Sequence, residues 1–215
     1  WQKLAADKLH VAIGRGIEAW ASFDGSANGT IEEFTATGKG QLNLGQVAGL
    51  FPVPGLKANA GSVDYSVTLG QAGSTSAIKT KATFSGFDGS YDDWTFSKWD
   101  IGVDGEAKLD EKTLTIQQAK LAFSQQAKPQ GELRVTGSLP LGKADGKLEL
   151  TANGILAGLF NTAAQPWLAP VEVTQSQAQT KVTVLLGADG SIALESTGAL
   201  GQLMLTEGDK PLLAK

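Results

Sequence analysis

The sequence predicts an all-β protein: an elongated, curved antiparallel sheet, an amphipathic meander with an open groove, carrying two short helices. Three observations lead there. Apolar residues recur at every second position along most of the chain. Asp-Gly and Asn-Gly pairs punctuate these runs. Two runs change phase part-way, as a strand does where it holds one extra residue. A closed β-sandwich is the alternative, because alternating strands commonly bury their apolar side against a second sheet.

The alternation is clearest over 63–84. Val63, Tyr65, Val67 and Leu69 alternate with Asp64, Ser66 and Thr68, and Ile78, Thr80, Ala82 and Phe84 with Lys79, Lys81 and Thr83. Leu114 and Ile116 follow, then Leu121 and Phe123, then Leu133 and Val135 in GELRVTGSLPL and Leu148 and Leu150 in GKLELTA. Val182 and Val184, Ile192 and Leu194, and Leu203 and Leu205 close the series. A period of two gives each strand one apolar and one wet face. The pairs Asp24-Gly25, Asn28-Gly29, Asp88-Gly89, Asp104-Gly105, Asp145-Gly146 and Asp189-Gly190 read as tight hairpin turns, since these dipeptides accept positive φ. GSTS (73–76) and SQQ (124–126) read as polar hairpin tips. Roughly a dozen strands result.

The phase changes fall at two places. Trp94 and Phe96 share one parity, whereas Trp99, Ile101 and Val103 hold the other. Leu114 and Ile116 give way in the same fashion to Ala119, Leu121 and Phe123. An extra residue at Ser97-Lys98 and another at Gln117-Gln118 restore a common face, and such bulges bend a sheet.

Two stretches read as helical, GQVAGLFPVPGL (45–56) and GILAGLFNTAAQPWLAP (154–170). They share the word AGLF at 48–51 and 157–160. Each follows a strand and precedes one ending in Leu-Gly, SVTLG (66–70) and TVLLG (183–187). This is an internal repeat over approximately 30–90 and 137–200, and stacked β units of this kind build one elongated body, with two similar domains side by side as the alternative. Residues 1–215 therefore read as a single β-rich unit, a fragment of a longer protein, with Trp1 and GDKPLLAK as its cut ends.

Bulk properties exclude several classes. A chain of 215 residues can bury roughly 70% of its unfolded surface, so no staple is required. The absence of Cys removes disulfides, thiolate metal sites and Cys nucleophiles together. The 18 Lys and Arg are scattered against 22 acids, leaving no basic stripe for nucleic acid. No apolar run approaches the roughly 20 residues that span a bilayer as a helix. With one His and no Cys, no nucleophile, base and orienter set can be assembled; a carboxylate pair stays open but nothing marks one, and the chain reads as non-enzymatic, without cofactor or metal. His10 lacks carboxylate company in HVAIGRG and reads as an incidental strand residue. DGSYDD (88–93) lacks calcium-loop spacing and reads as an acidic turn. Gly14 and Gly16 lack the third glycine and the βαβ setting of a dinucleotide site.

A strand-rich unit, then a short apolar helix with proline, then a Gly-x-Val/Leu cadence opening the next unit resembles the AsmA-like family that includes TamB. The text carrying the resemblance is QLNLGQVAGLFPVPGLKANAGSVDYSVTLG (41–70) and, more loosely, KLELTANGILAGLF…TKVTVLLG (147–187), with GELRVTGSLPL (131–141) in the same cadence. The chain departs from the family in lacking an N-terminal membrane anchor. The resemblance implies a bridge-like lipid carrier of the Gram-negative envelope, periplasmic and anchored in the inner membrane outside this segment. Phospholipid or another envelope lipid would lie with its tails along an apolar trough. The trough candidates are Val63, Tyr65, Val67, Leu69, Ile78, Phe84, Leu114, Ile116, Leu133, Val135, Leu148, Leu150, Val182, Val184, Ile192 and Leu194. The competing expectation is a β-sandwich carbohydrate-binding or adhesion module, with Trp20, Trp94, Trp99 and Trp167 as a stacking platform. A purely structural spacer is a third.

Overall fold

The computed structural model describes residues 3–15, 18–30, 32–49, 54–92, 94–142, 145–154, 170–208 and 210–214. They form one twelve-stranded sheet in which every strand pairs antiparallel with its neighbours in the chain. The strands are β1 (Lys3–Arg15), β2 (Glu18–Thr30), β3 (Glu33–Asn43), β4 (Leu56–Ala72), β5 (Thr75–Tyr91) and β6 (Trp94–Leu109). β7 (Thr113–Gln125), β8 (Lys128–Pro140), β9 (Gly146–Gly154), β10 (Val171–Leu186), β11 (Ile192–Glu207) and β12 (Lys210–Ala214) complete it. β1 and β12 are its two edges, so the sheet is open, elongated and curved. Its longest strands, 17 residues each, extend about 56 Å.

The sandwich alternative is overturned. No second layer of strands exists among the described residues. The chain exposes 14120 Å², whereas a compact monomer of 22.3 kDa exposes about 9,400 Å². Among the described residues only Val63, Trp99 and Val173 are buried hydrophobics.

Asp-Gly pairs also have a different role from the one their dipeptide signal suggested. Asp24-Gly25 lies inside β2, Asp88-Gly89 inside β5 and Asp104-Gly105 inside β6, while Asn28-Gly29 ends β2 and Asp145-Gly146 leads into β9. Asp189-Gly190 does turn a hairpin, with Gly190 at φ 84° and its N–H donating to the Gly187 carbonyl, and residues 143–144 of the connection that Asp145-Gly146 completes lie outside the described residues. Within the strands, the acid stands on the wet face while the glycine clears room on the apolar one. A Cβ on Gly25 would lie 2.7 Å from the Phe23 ring, and one on Gly38 would strike the same ring from the next strand. The other hairpins turn elsewhere: Gly73-Ser74 joins β4 to β5, and Gln126-Ala127, at φ 50° and 62°, joins β7 to β8. Merging the runs on either side of the misread pairs gives strands of 13 to 17 residues through the centre of the sheet.

Both anticipated bulges are present. Lys98 has φ 52° and its N–H donates to Asp88 Oδ1 at 3.0 Å, and the β5–β6 register slips there. Gln117-Gln118 is the slip between β7 and both neighbours. A further slip at Ser85-Gly86 is pinned by the Gly86 N–H on Asp100 Oδ1 at 2.7 Å. Of the first helical stretch, the described residues hold one turn, α1 (Leu44–Val47), capped by Asn43, whose Oδ1 accepts from the Gln46 N–H at 3.2 Å, and residues 50–53 lie outside the described residues. The second helical stretch falls on 155–169, outside the described residues, as does Trp167.

Candidate lipid-binding face

Directly opposite residues in an antiparallel ladder share a face, so the register alone determines where each trough candidate stands. Val63, Tyr65, Val67 and Leu69 of β4 lie opposite Phe84, Ala82, Thr80 and Ile78 of β5. Phe84 and Ile78 lie opposite Ile101 and Ala107 of β6. Ala107 faces Ile116, and Leu109 faces Leu114 on β7. Beyond the bulge, Ala119 and Leu121 meet Val135 and Leu133 of β8. Val135 meets Leu150 and Gly137 meets Leu148 on β9, and these in turn meet Val182 and Val184 of β10. Val184 lies opposite Leu194, and Leu186 opposite Ile192, on β11. All sixteen candidates therefore stand on one continuous face, and the bulge at Gln117-Gln118 is what keeps β7 in phase.

The face extends further than those residues. Leu42 pairs with Val63 and Gly38 with Val67, which brings β3 onto it, and Phe23 of β2 lies over Gly25 and Gly38. Val11 opposite Phe23, with Leu9 and Ile13, carries it to the β1 edge. The alternation in KLHVAIG carries this signal, though the run is short and ends at a glycine. Tyr65 is the polar exception: its hydroxyl donates to the Ser22 carbonyl at 3.4 Å, satisfied by backbone and turned toward β2. Ile192, Leu194 and Leu200 are 68%, 70% and 65% exposed, so the face is bare there.

The opposite face is wet and bound together by charge. His10 Nδ1 lies 2.7 Å from Asp24 Oδ1 across β1–β2, and Gln41 donates to Asp64 at 2.6 Å across β3–β4. Lys79 pairs with Glu106 at 2.9 Å, Lys120 with Glu132 at 2.6 Å, and Lys181 with Glu149 at 3.1 Å. Glu132 also takes Arg134, and Glu149 takes Lys147 at 2.7 Å. The hydrogen bond from His10 holds Asp24 below the usual carboxylate range, with Lys39 and Lys8 adding to it. Arg134 first, then Lys120, hold Glu132 down, and Lys147 with Lys181 do the same to Glu149. Exposed pairs of this kind add little stability individually. Their effect is to keep one side of the sheet hydrated and to favour this register over a slip by one residue, which would expose every charge to the apolar side.

At the end of β3 the chain turns onto the apolar face. Gly45 lets α1 approach β4 closely, since a Cβ there would lie 2.7 Å from the Asn59 carbonyl oxygen. Gly61, at φ 125°, receives the Leu44 side chain: a Cβ there would lie 3.3 Å from Leu44 Cδ1. Between α1 and the sheet is a cavity of about 320 Å³ lined by Leu44, Val47, Ala48, Leu56, Ala58, Phe84, Phe87 and Ile101. Beside it Phe96 packs on Phe87, ring centroids 5.9 Å apart, and edge-on against Trp99 at 6.5 Å. Long-range pairing across three bulged strands creates this corner, which short-range periodicity does not reveal.

Of the four tryptophans expected in a stacking platform, the side chain of Trp94 and the whole of Trp167 lie outside what the structure describes. Trp99 is 1% exposed and has no face to offer a sugar, and Trp20 stands at the β1–β2 register shift four strands away. Asp88, expected in an acidic turn, lies within β5, where it accepts from the Lys98 N–H at the bulge. No group of three potential metal ligands occurs among the described residues. No family model, curated protein sequence or solved structure matches the chain.

Proposed function

We propose that this protein offers its apolar face as a trough for the acyl chains of phospholipid or a related envelope lipid, and that it acts by conveyance without covalent chemistry. One observation carries the reading: a continuous apolar surface crosses the sheet, backed by an ion-paired wet face and covered by no second layer of strands among the described residues. Soluble monomers rarely expose contiguous apolar patches beyond a few hundred Å², and larger ones mark ligand or partner sites. A lipid crossing water exposes its chains at about 0.8 kcal/mol per methylene, so a chain of some fifteen faces on the order of 12 kcal/mol. A lining of Val, Leu, Ile and Ala removes most of that cost at each position without pinning the cargo by hydrogen bonds. The cadence shared with AsmA-like proteins supports a periplasmic setting, in a longer protein anchored at the inner membrane.

The test is extraction of purified protein into organic solvent and mass spectrometry of the extract, with uptake of a fluorescent phospholipid analogue in parallel. Lipid is expected in both. Val67→Asp and Val135→Asp are expected to abolish uptake while the circular dichroism spectrum keeps its β signature, because neither side chain is enclosed. Lipid-free extracts together with no uptake would end the proposal.

A further inference from the structure

We infer that the cavity beneath α1 is a fixed seat for the end of a single saturated hydrocarbon chain, and that it gauges chain length. This deepens the trough reading and rests on it. The observation is a difference in kind within one face. Over most of the sheet the apolar side is an open surface, but between α1 and β4–β6 it gains a roof. Leu44, Val47 and Ala48 stand above, and Leu56, Ala58, Phe84, Phe87 and Ile101 form floor and walls. Among the described residues every one of these side chains is apolar, so they offer no side-chain partner to a headgroup, a sugar or an ordered water, which needs two to four polar partners.

Its size selects the occupant. About 320 Å³ stands at the low end of the ~300–1,000 Å³ typical of small-molecule sites, too small for a two-chain lipid. It is roughly twice the ~150 Å³ apolar cavity that stays dry and takes benzene, hence room for about a dozen carbons. The roof is built to stay close: Gly45 admits the Asn59 carbonyl and Gly61 admits Leu44, so a larger residue at either position would lift α1. Phe84 and Ile101 belong both to this cavity and to the apolar face, pairing across β5–β6 beside Val63. A chain longer than the seat passes onto the open trough, where one side of it faces solvent and each further methylene gains much less.

The full chain is titrated with a graded series of straight-chain saturated fatty acids, by calorimetry or displacement of a fluorescent analogue. Affinity is expected to rise about fourfold per added carbon and to level near a dozen carbons. Ala58→Phe, filling the floor, and Ala48→Phe, filling the roof, are expected to weaken the saturable site at least tenfold and move the levelling point to shorter chains. Phospholipid uptake, which depends on Val67 and Val135, should persist in both. Two variants on opposite walls guard against one of them failing to fold, which circular dichroism reports. Lipid uptake with affinity that climbs without a break, and is unchanged by both fillings, would overturn the seat while leaving the trough. Failure of every chain and of phospholipid uptake would overturn both. A concentration-dependent dimer abolished by Ala58→Phe, with no chain-length break, would mean that a second copy occupies the cavity, and would also overturn the inference.

Discussion

The α1 end of β4–β6 and the strand β11 present the same apolar face, yet they meet solvent very differently. At the first, Trp99 is 1% exposed and Val63 4%. At the second, Ile192 and Leu194 are 68% and 70% exposed. Both follow the same period-two pattern, so alternation is not what separates them. What separates them is cover. Trp99 has strands on both sides, Phe87 opposite it in the ladder, and the Phe96 ring edge-on against it, itself packed on Phe87. β11 is flanked on one side by the five residues of β12, which pair only with Met204–Glu207. The first region makes the fold hold, and the second leaves surface to spare.

Truncation breaks this comparison most sharply. Trp99→Ala is expected to cost about 3–5 kcal/mol, as large-to-small changes at filled sites do, whereas Leu194→Ala should stay within about 0.5 kcal/mol. Urea denaturation followed by circular dichroism measures both. Equal costs would mean that β11 is covered in solution.

A smaller effect separates two kinds of glycine. Gly38→Ala drives a Cβ into the Phe23 ring and should cost about 1–3 kcal/mol through displaced packing. In Gly102→Ala the nearest atom is the Ala122 Cβ at 3.9 Å, so that change should be neutral or stabilising, because it reduces the freedom of the unfolded chain. Thermal melts distinguish them.

The smallest effect belongs to the wet face. Glu132, Asp24, Glu149 and Asp189 are all held below their ordinary values in the folded protein. A depressed carboxylate contributes stability that is fully present above its unfolded pKa and is lost as pH falls through the folded one. Tm should therefore be flat above roughly pH 5 and decline below about pH 4. Glu132→Gln should lower the neutral-pH Tm by about 2 °C or less and make the acid decline shallower. Melts across pH at low and high salt check it.

How much of this was legible in the sequence follows the range of each interaction. Strand identity and facing are local, and the parity of Val63 through Phe84 gave them directly. The bulges at Lys98 and at Gln117-Gln118 were legible too, because a parity break between two clean runs has no other economical reading. The Asp-Gly pairs misled, since one dipeptide serves two needs: Gly190 supplies positive φ, whereas Gly25 supplies space for a ring two residues away. The turn at Gln126-Ala127 carries no glycine, and the polar run SQQ (124–126) marked it to within a residue. Whether the apolar face is bare or sealed was invisible, because a buried strand and an open one are written with the same alternation. The cavity under α1 needs Leu44, Phe87 and Ile101 together, and their contact depends on three strands folding into register.

The order of the strands has a mechanical corollary. Each strand bonds only to the one before and the one after it in the chain, so a load applied across the strands would part the molecule hairpin by hairpin and not in one cooperative rupture. Adding or removing a hairpin would shift the chain by two strands and leave every other residue on the side it already occupies. Reach is thus a dimension that gene duplication can lengthen in steps, without redesigning the greasy surface.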